Sequence, residues 1–170
     1  GPMEQLRQTE VTQPAVFVHS VIAARLLAAR DIQPDVVAGH SLGEYSALTA
    51  AGVLGFAEGL TLVRARGCLM QEAGKQHIGA MSAVIGLDDE TVVNLCRDVG
   101  PGVVPANFNS PGQVVISGET DAVERAGAAA TEAGASKVVS LPVSGAFHSP
   151  LMESAASGLA ERLDQVQFNS

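Results

Sequence analysis

The chain has 170 residues, 46% of them apolar, a formal charge of −8, five Phe, one Tyr and no Trp. That balance supports a buried core, disfavours nucleic acid and anionic membrane surfaces as partners, and suits helices packed on a sheet better than an all-β sandwich. The two cysteines, Cys68 and Cys96, make neither a metal-ligand spacing nor a disulfide framework; with no signal peptide and no run of about 18 apolar residues, a soluble cytoplasmic protein without a membrane span or a metal is expected.

Thr12-Gln13-Pro14 predicts a helix start, a threonine cap with proline in the first turn, ahead of an apolar stretch of helical period over 15–29. Pro34 breaks the chain, and the short apolar run 35–39 predicts a buried parallel strand. Helices are predicted over 42–51 and 56–72, the second with Leu60, Val63, Gly67 and Met70 on one face. A polar linker, 74–79, follows. Strands are then predicted over 80–85, 103–107, 113–117 and 137–141. Two helices fall among them, one opened by Asp88-Asp89-Glu90 and one over 120–133 stopped by Gly134. A loop over 142–150 leads into a last amphipathic helix over 151–166.

The expected fold class is α/β. A partial α/β-hydrolase-like large subdomain (1–75 and 143–170) is interrupted by an inserted ferredoxin-like α+β small subdomain (76–142), whose order is strand–helix–strand–strand–helix–strand. One strand cannot make a parallel sheet, so partner strands are expected outside this chain, and both ends are expected to be cut from something longer.

Gly39-His40-Ser41-Leu42-Gly43 stands between the expected strand and helix, the context a G-x-S-x-G nucleophile elbow requires. The sharp turn holds the serine in a strained backbone, and glycine is expected two residues to each side because neighbouring backbones crowd there. The hydroxyl then sits at the positive end of the next helix, with the Leu42 amide where an oxyanion forms. The competing reading of Ser41 is a simple helix cap. A serine nucleophile needs a base, and the histidines are His19, His40, His77 and His148. His19 reads as a packing residue in mid-helix and His77 as solvated. His40 is expected to point away from the hydroxyl, supporting the elbow or lining the cleft. His148 lies in Gly145-Ala146-Phe147-His148-Ser149-Pro150, the kind of loop that carries catalytic groups, but spacing alone does not select it.

Four segments, GHSLGEYSALTAAGVL, RARGCLMQEA, NFNSPGQVVISG and GAFHSPLM, resemble malonyl-CoA:acyl carrier protein transacylases, the acyltransferases of fatty acid and polyketide synthesis, and the likeness runs along nearly the whole chain. The resemblance implies that Ser41 carries the malonyl ester and that His148 is the catalytic base. It implies that Arg66 grips the free carboxylate of the malonyl group through two parallel hydrogen bonds, although Arg66 also reads as a surface arginine on a helix carrying Arg64. Gln13, Asn107 and Asn109 are implied near the cleft, with turn or cap bonding an equal alternative. Phe147 before the histidine resembles the malonyl-selective form of the motif, its ring leaving no space for an α-methyl branch, a discrimination of about 1–3 kcal/mol. Malonyl-CoA and an acyl carrier protein are the implied partners, and no cofactor is implied.

The family's opening strand and glutamine loop, which supplies a second oxyanion donor, has no counterpart in the chain, and neither does the later carbonyl that orients the histidine. Losing one oxyanion donor costs about 2.7–4 kcal/mol, so the 170-residue chain alone is expected to be inactive or nearly so. The rival readings are a serine thioesterase or esterase, and a catalytically incomplete fragment.

Overall fold

The computed structural model describes residues 1–169. It is an α/β chain with a small open antiparallel sheet. The chain divides into two compact units, Gly1–Leu69 with residues 155–169, and Met70–Ser154.

The first unit is helical. A short helix α1 (Met3–Leu6) leads into α2 (Thr9–Ala28), followed by α3 (Gly43–Ala50) and α4 (Phe56–Gln76), whose residues from Met70 on belong to the second unit. Helix α2 begins three residues before the expected threonine cap. The Thr12 hydroxyl turns back to donate to the carbonyls of Leu6 and Gln8 instead of capping amides ahead of it. Pro14 therefore lies inside α2, where its missing N–H costs one helical hydrogen bond. By length and composition α2 is apolar enough to cross a bilayer, with a mean hydropathy of 1.4, although polar and charged residues such as Gln13, His19 and Arg25 interrupt its apolar run. Its Phe17 and Val21 are buried in a core with Tyr45, Leu54, Leu62 and Val63, and Phe17 stacks on Phe56 at 5.8 Å. His19 is exposed rather than packed.

Residues 35–39 do not form the expected strand. A strand is a ladder of hydrogen bonds to a neighbour, and among the described residues nothing pairs with this segment; Val36 is 85% exposed. Helix α4 runs on to Gln76, absorbing half of the expected linker, with Lys75 in its last turn where a cation favours the helix dipole.

The second unit is built from β1 (Ala80–Ile85), α5 (Asp89–Val99), β2 (Val103–Ser110), β3 (Gln113–Gly118), α6 (Thr120–Glu132) and β4 (Lys137–Ser140). The sheet order is β2-β3-β1-β4, and every pairing is antiparallel. Side-chain alternation decides the two faces. Val84, Val114 and Ile116 join Val92 and Cys96 of α5 and Val123 and Ala126 of α6 in one buried cluster. Met81, Ala83 and Val115 point the other way, with Phe147 packed against them. Asp88 caps α5, accepting from the Thr91 amide at 2.9 Å. The Thr91 hydroxyl also donates to Asp88 at 2.7 Å, and this bond, with that from the amide, holds the Asp88 carboxyl below its ordinary pKa. Strand β2 is longer than expected because two bulges, at Ala106 and Asn109, let it continue to the Ser110 turn. After β4 the last expected helix opens as a 3-10 turn, Pro150–Met152, before α7 (Glu153–Leu163).

Candidate active site

Ser41 has φ +53°, the left-handed conformation that an L-residue adopts at a cost. The turn is closed at once by helical bonds: Gly43 N–H donates to His40 O at 2.8 Å and Glu44 N–H to Ser41 O at 3.2 Å. The serine therefore stands at the entry of α3, its amide successor Leu42 in the helix cap position. Gly39 is required: a Cβ there would lie 2.0 Å from the carbonyl carbon of Gly43 and 2.2 Å from the Glu44 nitrogen. The symmetric expectation for Gly43 is corrected, because a Cβ on Gly43 meets nothing within 4 Å. Backbone crowds the elbow only from the side on which the chain enters.

Three of the expected site residues converge in the first unit. Arg66 on α4 donates from Nη2 to Ser41 Oγ at 3.0 Å and from Nη1 to Gln13 Oε1 at 2.7 Å. Gln13, 4% exposed, donates from Nε2 to Thr9 Oγ1 at 2.9 Å. The reading of Arg66 as a surface arginine is overturned by these contacts, and Gln13 serves a buried network rather than a turn or cap. The sequence reading missed Thr9 and Tyr45. The Tyr45 ring lies 5.9 Å from the Arg66 guanidinium carbon, a cation–π contact. The signal for both was their spacing, Thr9 one turn before Gln13 and Tyr45 one turn after Ser41, on faces that burial selects.

Burial pushes the Arg66 guanidinium below its ordinary pKa, while the Tyr45 and Glu44 charges act in the opposite sense. Burial raises the Tyr45 phenol; Arg66 lowers it and Glu44 raises it further. The pair is thus a cation resting on a neutral ring, with one edge of the guanidinium against the serine hydroxyl. His40, which precedes Ser41, is exposed.

His148, Phe147 and Asn109 belong to the second unit. His148 is also left-handed, φ +59°. Its loop is braced on both sides: Ser149 Oγ donates to Ala146 O at 2.6 Å and accepts from the Leu151 amide at 3.3 Å. Ser144 and Gln71 on α4 lie in side-chain hydrogen-bond contact at 3.3 Å. Phe147 is half-buried against Met81, Ala83 and Val115, so its ring is held by the sheet. Asn109 is the extra residue of the second β2 bulge and is exposed. Among the described residues no group of three or more His, Cys, Asp or Glu side chains is placed to hold a metal ion.

The whole chain, residues 1–170, matches the family described as the acyl transferase domain. It is 50% identical over 173 residues to the malonyl CoA-acyl carrier protein transacylase of Escherichia coli (strain K12), covering 100% of this chain and 56% of that protein. It is 40% identical over 167 residues to the Staphylococcus aureus (strain MRSA252) enzyme of the same name, covering 96% of this chain and 54% of that one. Among solved structures, an acyl carrier protein S-malonyltransferase from Vibrio cholerae matches with a TM-score of 0.94 at 51% identity, over 100% of this chain and 56% of that one. A malonyl-transacylase solved in complex with its type II polyketide synthase acyl-carrier protein gives a TM-score of 0.95 at 49% identity, over 99% of this chain and 56% of that one. The chain thus spans a little over half the length of the relatives it matches.

Proposed function

The chain belongs to the acyl transferase domain family, and from that premise we propose that it is the nucleophile-bearing part of an enzyme moving a malonyl group from coenzyme A to the phosphopantetheine thiol of an acyl carrier protein, in fatty acid or polyketide synthesis. The observation that carries this reading is the Arg66 guanidinium bonded to Ser41 Oγ at 3.0 Å. A cation fixed beside a serine nucleophile suits an acyl group that ends in a carboxylate, and a neutral acyl chain has no use for it.

In the proposed reaction Ser41 Oγ attacks the malonyl thioester carbonyl while His148 takes its proton. The carbonyl oxygen becomes an oxyanion received by the Leu42 amide at the start of α3. The C–S bond breaks, His148 returns the proton to the coenzyme A thiolate, and malonyl-Ser41 remains with its carboxylate on Arg66. The carrier thiol then gives its proton to His148 and attacks the ester carbonyl; the C–O bond to Ser41 breaks and His148 returns the proton to Ser41 Oγ, leaving malonyl on the carrier and the free serine. Gln13 sets Arg66, His40 lines the approach, and Asn109 stands at the cleft edge. Phe147, held by the sheet, excludes an α-methyl branch, which favours malonyl over methylmalonyl by about 1–3 kcal/mol.

The finer architecture belongs to the same proposal: a ferredoxin-like insert over 76–142 within an α/β-hydrolase-like subdomain, 1–75 and 143–170. The antiparallel order β2-β3-β1-β4 supports the insert.

The intact mass of a purified acyltransferase carrying this chain, after mixing with malonyl-CoA, tests the function. One malonyl adduct is expected, absent in Ser41→Ala and discharged when carrier protein is added. Rapid release of free malonate without acceptor overturns transfer in favour of hydrolysis.

A further inference from the structure

The roles above leave unexplained why the Arg66 guanidinium has a fixed plane. Arg66 can only donate hydrogen bonds, so its contact at 2.7 Å fixes which end of the Gln13 amide is oxygen. That assignment turns Gln13 Nε2 toward Thr9 Oγ1, 2.9 Å away. Gln13 and Thr9 are 4% and 8% exposed and stand one turn apart on α2. The backbone frame around them has no slack: a Cβ on Gly67, the residue after Arg66, would lie 2.8 Å from Glu10 Cα and 2.9 Å from Thr9 O. The Tyr45 ring closes on the guanidinium at 5.9 Å.

We propose that Thr9 is a positioning residue: acting through Gln13, its hydroxyl fixes the guanidinium plane of Arg66, and selection for acyl groups bearing a free carboxylate depends on it although it lies three hydrogen bonds from Ser41. The inference rests on the assignment of Arg66 as the carboxylate partner. Bidentate recognition is steep in angle, so an arginine that keeps its charge but loses its plane still attracts the substrate and grips it less well.

The experiment compares Thr9→Val, close in size and lacking the hydroxyl, with Thr9→Ser, Arg66→Ala and wild type in an intact acyltransferase carrying this chain. kcat/KM is measured for malonyl-CoA and for acetyl-CoA, the same thioester without the carboxylate, alongside thermal unfolding. Arg66→Ala is expected to abolish the malonyl preference. Thr9→Val is expected to lower that preference about tenfold, through KM more than kcat, with malonyl transfer falling far more than acetyl transfer, and Thr9→Ser to restore it. Thr9→Ala reads the same difference if valine impairs folding. Wild-type preference in Thr9→Val and Thr9→Ala beside its loss in Arg66→Ala overturns the role of Thr9, as does an equal fall for both substrates. Preference kept in Arg66→Ala overturns the assignment of Arg66 itself, and the proposal with it.

Discussion

Arg66 Nη2 donates to Ser41 Oγ across 3.0 Å, so the cation proposed to hold the substrate carboxylate already touches the proposed nucleophile. A hydrogen bond from a cation stabilises the alkoxide over the alcohol and restrains the serine rotamer. Its influence on Ser41 is separable from its influence on a carboxylate. With a small uncharged fluorophosphonate, which offers Arg66 no carboxylate, Arg66→Met is expected to slow the covalent labelling of Ser41 about tenfold, equivalent to one hydrogen bond of about 1.4 kcal/mol. Labelling followed by mass spectrometry decides it; an unchanged rate means the contact is passive.

The two glycines of the elbow are expected to behave oppositely. Gly39→Ala places a Cβ 2.0 Å from the Gly43 carbonyl carbon, with backbone on the other side of the clash, and a loss of about 3 kcal/mol or failure to fold is expected. Gly43→Ala meets nothing and enters the first helical position of α3, so thermal unfolding is expected to show stability equal to wild type or about 0.5 kcal/mol higher.

Gly67→Ala tests the helix crossing that supports Arg66. The new methyl has to push α2 away from α4 at Thr9 and Glu10, and overpacking of this kind costs about 1–3 kcal/mol. The same displacement moves Gln13 off Arg66, so the malonyl preference is expected to fall as well. A stable variant with full preference would show that the crossing has freedom.

Cys96 sets an alkaline limit. Burial at 2% exposure among Val84, Val92 and Ile116 raises its thiol from an ordinary value near 9 to about 11. The folded state therefore holds the proton more tightly than the unfolded state. Stability from this group is complete below about pH 9 and is lost as pH rises to about 11. Cys96→Ala is expected to lower stability at neutral pH through lost packing but to flatten its decline across that window, measured as urea midpoints from pH 8 to 11.

The sequence exposes what is locally determined. The second unit's elements are legible because Met81 and Ala83 alternate with Val84, and because Asp88 carries its capping role three residues ahead to Thr91. Ser41 is legible because the strain it needs leaves Gly39 as a mark. What depends on distant atoms is hidden. Thr12 has the composition of a cap, but its hydroxyl is claimed by carbonyls behind it. Residues 35–39 have strand composition, yet strand structure is a property of the pair. The link from Gln13 to Arg66 crosses 53 positions and exists only because Gly67 lets two helices touch. Asn109 sits in a bulge that no local pattern announces.

Ser41 keeps its left-handed backbone at φ +53°, which costs an L-residue about 1–2 kcal/mol and costs glycine almost nothing. Thermostability and catalysis therefore pull this position in opposite directions. A library screened for heat resistance without a parallel activity screen is expected to enrich glycine at position 41 and return tougher, dead protein. Serine retained there under such a screen is the expected mark of selection for the proposed reaction, acting against the molecule's own preference for a relaxed turn.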